Sequence, residues 1–178
     1  MRRSWIKRKP KDNTKKNATR KKLEAEYGVK LSYWRYEGRK GIYWSVLSEY
    51  IRRRDFYKYG TCVTTGMKFN TWKDAQAGHY APAGDCGFNL LFDKRNIHAE
   101  SAKSNNPFFS PGKLIPYRQT LVKRYGEKWV KQLDADYAAR HMKKEWNQGE
   151  YDLEIRKLQA ELAELIAINE PSQTNETA

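Results

Sequence analysis

The sequence is poor in thiols, in acid and in long apolar runs, and each shortage excludes something. Only two cysteines, Cys62 and Cys86, stand in 178 residues. Two do not make a disulfide framework, and alone they do not make a four-ligand zinc site. Both thiols are expected to be reduced. No apolar run approaches the ~20 residues that cross a bilayer. The basic start, M-R-R-S-W-I-K-R-K-P, is followed by no apolar signal core. The expectation is a cytoplasmic chain that stays in the compartment where it is made, without a membrane partner. Acid is scarce as well: 21 Asp and Glu against 35 Lys and Arg, a formal charge of +14. That excess favours a polyanionic partner. Nucleic acid is the first candidate, because 6 Trp, 12 Tyr and 6 Phe lie among the basic residues. Charge and aromatics do not separate RNA from DNA.

What is present divides the chain. Residues 1–22 carry eleven Lys and Arg, including Arg2, Arg3, Lys7, Arg8 and Lys9, against Asp12 alone. Such a block repels itself and buries no apolar area, so it is expected to be disordered or loosely helical. It reads as a DNA-binding arm or as a solubilising tail. Residues 23–41 suggest a short helix and a turn. Residues 42–59 read as a helix with Trp44, Leu47 and Ile51 on one face, joined by Phe56. Ser45 or a neighbour would cap it, and Gly60 stops it. Its Arg52-Arg53-Arg54 triplet is either a solvated face or a phosphate contact.

Residues 61–70 look like a strand, a tight turn and a return. Residues 89–98 look like β-structure around a polar D-K-R turn, with a short helix over 99–106. Helices are predicted over 114–125, opened by Pro116, and over 127–139. In the last helix Tyr151, Ile155, Leu158, Leu162 and Leu165 step by 4, 3, 4 and 3. That stripe is either the seam of a homodimer or the face packed on its own domain. A disordered tail is expected over 170–178.

The chemistry gathers in residues 76–105, which hold His79, Asn96, His98 and Asn105. With His79 and Asn96 on two strands and Asn105 on the following helix, three polar side chains can face one groove. A neutral imidazole can take a proton from water, making a nucleophile for a phosphodiester. An Asn carbonyl oxygen is a hard ligand suited to Mg²⁺.

The residues G-H-Y at 78–80, R-N-I-H at 95–98, S-N at 104–105, L-I-P-Y-R at 114–118 and L-V-K-R-Y-G at 121–126 resemble the NinG (Rap) family of lambdoid phages. I-R-R-R-D at 51–55 and C-V-T-T-G at 62–66 fit as well. The resemblance runs from about residue 44 to 126. It implies a recombination endonuclease acting on branched, Holliday-junction-like DNA. It also implies an α+β fold: a small ββα-metal core of the HNH (His-Me finger) class embedded among helices, with a basic N-terminal arm and a C-terminal helical extension. The expected division is an arm over 1–22, a nuclease domain over 23–126, an extension over 127–169 and the tail. Host cytoplasm is the implied location.

Carried over by position, the resemblance makes His79 the general base, Asn96 the brace of the loop and Asn105 the ligand of one Mg²⁺ or Mn²⁺ ion. His98 is a further catalytic or metal-binding candidate. Charge and position add Arg52, Arg53, Arg54, Lys94, Arg95, Lys113 and Arg118 as DNA contacts.

The chain departs from the family pattern twice. The family carries C-x-x-C before the hairpin and C-x-x-C-N at its end, four thiolates for a structural zinc. Here Cys62 and Thr65 stand at the first pair, Ser101 and Ser104 at the second. No structural zinc is therefore expected, and Val63, Met67, Phe69 and Trp72 are expected to hold the knuckle by packing. Second, many HNH enzymes place Asp just before the base, where this chain has Gly78. The alternative reading is a non-catalytic DNA-binding or packaging accessory on a degenerate HNH scaffold.

Overall fold

A computed structural model describes residues 14–31, 37–106, 112–139 and 145–170. Arg2, Arg3, Lys7, Arg8, Lys9, His141 and the tail from 171 lie outside the described residues.

The organising element is a 22-residue helix, α2 (Gly38–Tyr59), preceded by α1 (Thr14–Tyr27). Ile42, Tyr43, Val46, Leu47, Ile51 and Asp55 of α2 recur at helical spacing and are buried. Gly60 ends α2 in the left-handed conformation, φ 63°, where its N–H reaches the carbonyls of Asp55 and Phe56. At the other end Glu37 flanks the helix without a side-chain cap. Ser45, expected as a cap, sits inside α2 and donates to the Gly41 carbonyl (3.0 Å). Helix α1 starts within the expected arm and buries Leu23 and Tyr27 on the common core.

Two strands follow, β1 (Ala75–His79) and β2 (Ile97–Ser101). They pair antiparallel, with His79 opposite Ile97, Gly78 opposite His98 and Gln76 opposite Glu100. Between them lies α3 (Gly87–Leu91), where the sequence suggests a strand. Its short apolar run fits either periodicity. Here Leu90 and Leu91 go into the core at the end of a single helical turn. Before β1 the predicted hairpin over 61–70 is reduced to one bridge, Thr61 with Lys68.

The remaining helices are α4 (Ala102–Asn105), α5 (Leu114–Tyr125), α6 (Glu127–Ala139) and α7 (Gln148–Asn169). Helix α7 opens with a capping box between Asn147 and Glu150, so Gly149 falls in its first turn and not in a break. The α7 stripe lies along α2: Tyr151, Ile155 and Leu158 are buried in the core shared with Tyr43, Leu47 and Ile51. The seam is thus covered within the chain, and the expected nuclease domain and helical extension share one core. The fold is helix-dominated α+β around a two-stranded sheet. Among the described residues no helix is long and apolar enough to cross a membrane.

Candidate active site

His79 ends β1, and its ring is 6% exposed. The ring stacks on Trp44 of α2, centroids 5.2 Å apart and planes 15° apart. Nε2 lies 2.9 Å from the Leu91 carbonyl oxygen. A carbonyl only accepts, so Nε2 carries the proton, and in the neutral form of the ring the lone pair is on Nδ1.

Asn96 is fully buried and fixes the loop that supplies that carbonyl. Its Oδ1 accepts from the Ala81 N–H (2.7 Å), and its Nδ2 donates to the Ala81 and Leu90 carbonyls (3.1 and 3.0 Å). Its own carbonyl accepts from the Tyr80 N–H (2.8 Å). Residues 80–91 are therefore tied to the start of β2 by one side chain, and the next carbonyl, that of Leu91, anchors His79.

His98 does not join them. Side chains alternate along a strand, and His98 is opposite Gly78 rather than His79. Its ring leaves the sheet toward Tyr117 and Tyr125 of α5. Nε2 donates to the Arg95 carbonyl (3.1 Å), and Nδ1 lies 3.2 Å from Arg54 Nη2 and 3.3 Å from Asp55 Oδ2. With 1% exposure and both nitrogens committed, His98 is a structural histidine.

Two buried carboxylates carry no mark in the sequence. Asp55 accepts from the Ala99 N–H (2.8 Å) and pairs with Arg54 (2.7 Å), clamping β2 to α2. Burial opposes its charge, but the His98 ring and the Arg54 guanidinium outweigh this and hold the carboxyl well below the usual range. Glu100, also fully buried, accepts from Lys113 Nζ (2.9 Å) and Thr64 Oγ1 (2.6 Å). Its Oε2 fills the space that a side chain at 78 would need: a Cβ there would lie 1.9 Å away. Gly78 is required by this close approach. Neither acid's partners can be read locally, since Ala99 is 44 residues from Asp55 and Thr64 is 36 from Glu100.

Asn105 ends α4 and donates from Nδ2 to Gln76 Oε1 (3.0 Å). That bond sets the amide, leaving Oδ1 as the oxygen to meet a cation, a donor that fits a hard ion. Among the described residues no three His, Cys, Asp or Glu side chains converge as a metal cage. An ion at Asn105 would draw its other ligands from water and phosphate, as Mg²⁺ commonly does.

Cys62, Thr65, Ser101 and Ser104 do meet. Cys62 Sγ lies 3.3 Å from Ser104 Oγ and accepts from the Ser101 N–H (3.3 Å). Ser101 and Ser104 hydroxyls are 2.9 Å apart. Burial pushes the Cys62 thiol up. Hydrogen bonds from Ser104, Thr65 and the Ser101 backbone outweigh it and leave the thiol below its ordinary value. Phe69 packs here with Cys62 as expected, while Val63 is buried in the main core, Met67 is 52% exposed and Trp72 receives Arg52 and Arg53 on its ring.

Among the described residues, the cations expected to meet DNA are engaged inside the chain. Arg52 donates to the Ser48 carbonyl, and Arg53 pairs with Glu49 and Glu170. Arg54 donates to the Lys94 and Ile97 carbonyls besides Asp55, so it ties α2 to the start of β2. Lys94 pairs with Glu161, Arg95 with Asp93 and Asp136, Lys113 with Glu100, and Arg118 with Glu127 and Asp134.

Comparison with known proteins gives one family. The model described as NinG: Bacteriophage Lambda NinG protein matches residues 1–167. Curated relatives named Protein ninG include one from Salmonella phage P22, 30% identical over 106 residues, covering 60% of this chain and 46% of the relative. Those of Enterobacteria phage H19B and Escherichia phage lambda are 29% and 28% identical over 106 residues. The matched segment covers 60% of this chain in each, and 47% and 46% of the two relatives. This chain thus spans about half the length of the curated relatives it matches. No solved structure matches.

Proposed function

The chain belongs to the NinG family, and on that premise we propose that it is a metal-dependent DNA endonuclease of the HNH class, acting on branched recombination DNA. The observation that carries the proposal is the anchoring of His79 Nε2 on the Leu91 carbonyl through the Asn96-braced loop. A base needs one ring nitrogen held so that the other presents a lone pair in a fixed direction. The stack on Trp44 fixes the ring plane. His79 Nδ1 then accepts the proton of the water that attacks phosphorus. The order β1, braced loop, β2, α4, with His79 on the first strand and Asn105 on the helix, supports the ββα-metal reading. A divalent ion, Mg²⁺ or Mn²⁺, held by Asn105 and substrate phosphate, would stabilise charge on the phosphate. The knuckle that carries zinc thiolates in the resembled pattern is closed here by the Cys62, Ser101 and Ser104 hydrogen bonds.

The near-complete burial of His79 favours a second reading, a non-catalytic DNA-binding protein on the same scaffold. One assay separates them. Labelled four-way junction, linear duplex and single strand are incubated with the protein in Mg²⁺, Mn²⁺ or EDTA. Metal-dependent cutting, strongest on the junction, is the expected result. Binding without cutting in every condition supports the second reading and removes the first.

A further inference from the structure

Among the described residues, Arg53, Arg54, Lys94, Arg95, Lys113 and Arg118 are paired with acids of the same chain, which leaves the search for a further polyanion contact to other cations. Two stretches are free of Asp and Glu although 21 acids stand in the chain: residues 56–73, and residues 101–126. Their described parts come together where the C-terminal end of α2, the turn after it and the end of α5 meet. Arg124 of α5 donates from Nη2 to the Thr61 carbonyl and hydroxyl (3.4 and 3.3 Å). Its guanidinium lies 3.8 Å above the Tyr59 ring. Lys58 Nζ lies 5.3 Å from the Tyr59 ring and 5.8 Å from that of Tyr125. Thr61 is bridged to Lys68. Lys58, Lys68 and Lys123 are exposed, and among the described residues none of them has an acidic partner.

We infer that this corner, Lys58, Lys68, Lys123 and Arg124, is a docking surface for the phosphate backbone of DNA. The inference rests on the DNA substrate proposed above and adds the surface that holds it. Two observations carry it. The acid-free stretches supply the corner with no acid of their own, and among the described residues Lys58, Lys68 and Lys123 have no ion-pair partner. The Tyr59 and Tyr125 rings sit beneath Lys58 and Arg124 and hold them by cation–π contact, which lowers the cost of ordering long side chains on a phosphate. Tyr125 packs at 5.7 Å on His98, on the face of the sheet opposite to His79.

The test is DNA binding by the full chain in EDTA, followed by fluorescence anisotropy of labelled duplex and junction over a salt series. Lys58→Gln, Lys68→Gln and Lys123→Gln are combined in one variant. A control combines Lys30→Gln, Lys131→Gln and Lys157→Gln, exposed positions that change net charge equally. The corner variant is expected to bind about tenfold or more weakly. Its log–log salt slope should be shallower by about 2 to 3, at ~0.9 for each phosphate that the variant leaves without a cation. The control should stay within about twofold of wild type, and all three proteins should melt alike. Equal losses in both variants, or no loss in the corner variant, overturn the assignment while leaving the DNA substrate standing. Wild type that binds neither DNA overturns both.

Discussion

Asp55→Asn removes one charge from the most enclosed ionic group of the fold while keeping its shape. Asp55 is fully buried and serves the Ala99 N–H, the Arg54 guanidinium and the His98 ring. The substitution leaves Arg54 with two backbone carbonyls but no counter-charge. It also sets an amide NH₂ or a weaker acceptor against the Ala99 N–H. Removing one member of a buried pair costs ~3–5 kcal/mol, a large part of the ~5–15 kcal/mol that holds a domain together. Urea denaturation at pH 7 should therefore show a much lower midpoint with an unchanged slope. The pH dependence has a definite sign. The folded carboxyl titrates well below its unfolded value, so its stabilisation is present above the unfolded pKa of ~3.9 and fades as pH falls toward the folded one. Asparagine does not titrate there. The gap between wild type and variant should narrow by up to ~1.4 kcal/mol per pH unit below about pH 4. A loss under ~1 kcal/mol, or a gap constant from pH 7 to pH 3, would refute this account of α2 and β2.

Other outcomes follow from the same geometry. Gly78→Ala places a methyl group against the Glu100 carboxylate and should cost at least ~1–3 kcal/mol, read as a lower melting temperature. Asn96→Ala strands the Ala81 N–H in the interior and frees the loop, at ~1–3 kcal/mol for the unpaired donor alone. In the endonuclease reading it slows cutting more than it weakens DNA binding. Thr65→Cys, Ser101→Cys and Ser104→Cys together with Cys62 should create a tetrahedral thiolate site, since Cys62, Ser101 and Ser104 already touch. The variant should bind Co²⁺ with a tetrahedral absorption spectrum and gain thermal stability from Zn²⁺, whereas wild type should melt identically with and without EDTA.

Long periodic segments are legible in the sequence. Helix α2 ends at Gly60 as its spacing implies, and α5 and α6 match their predicted bounds. The hairpin at His79 is readable only in part: the strand read over 89–98 lies at Ile97–Ser101, so residues 99–101 fall where a helix is expected, and Asn96 precedes the strand instead of standing on it. The short α3 is not, because five apolar and small residues satisfy either period. Nor is the separation of His98 from His79. It follows from a register of one residue, which turns His98 to the opposite face of the sheet. Charge is the least legible property. Arg54, Asp55, Glu100 and Lys113 look like surface residues in a basic chain, yet the fold pairs them across β2. The apolar stripe of α7 does not reveal its partner, which is α2 of the same chain.

The central claim is that His79 is the base of a DNA endonuclease, and one comparison tests it directly. Wild type and His79→Ala are assayed together for cutting of a labelled four-way junction in Mg²⁺ or Mn²⁺, with binding of the same DNA measured in EDTA. The account predicts cutting by wild type, a loss of at least about a hundredfold in the variant, and binding within about twofold. Cutting by the variant at the wild-type rate, with binding intact, would contradict it.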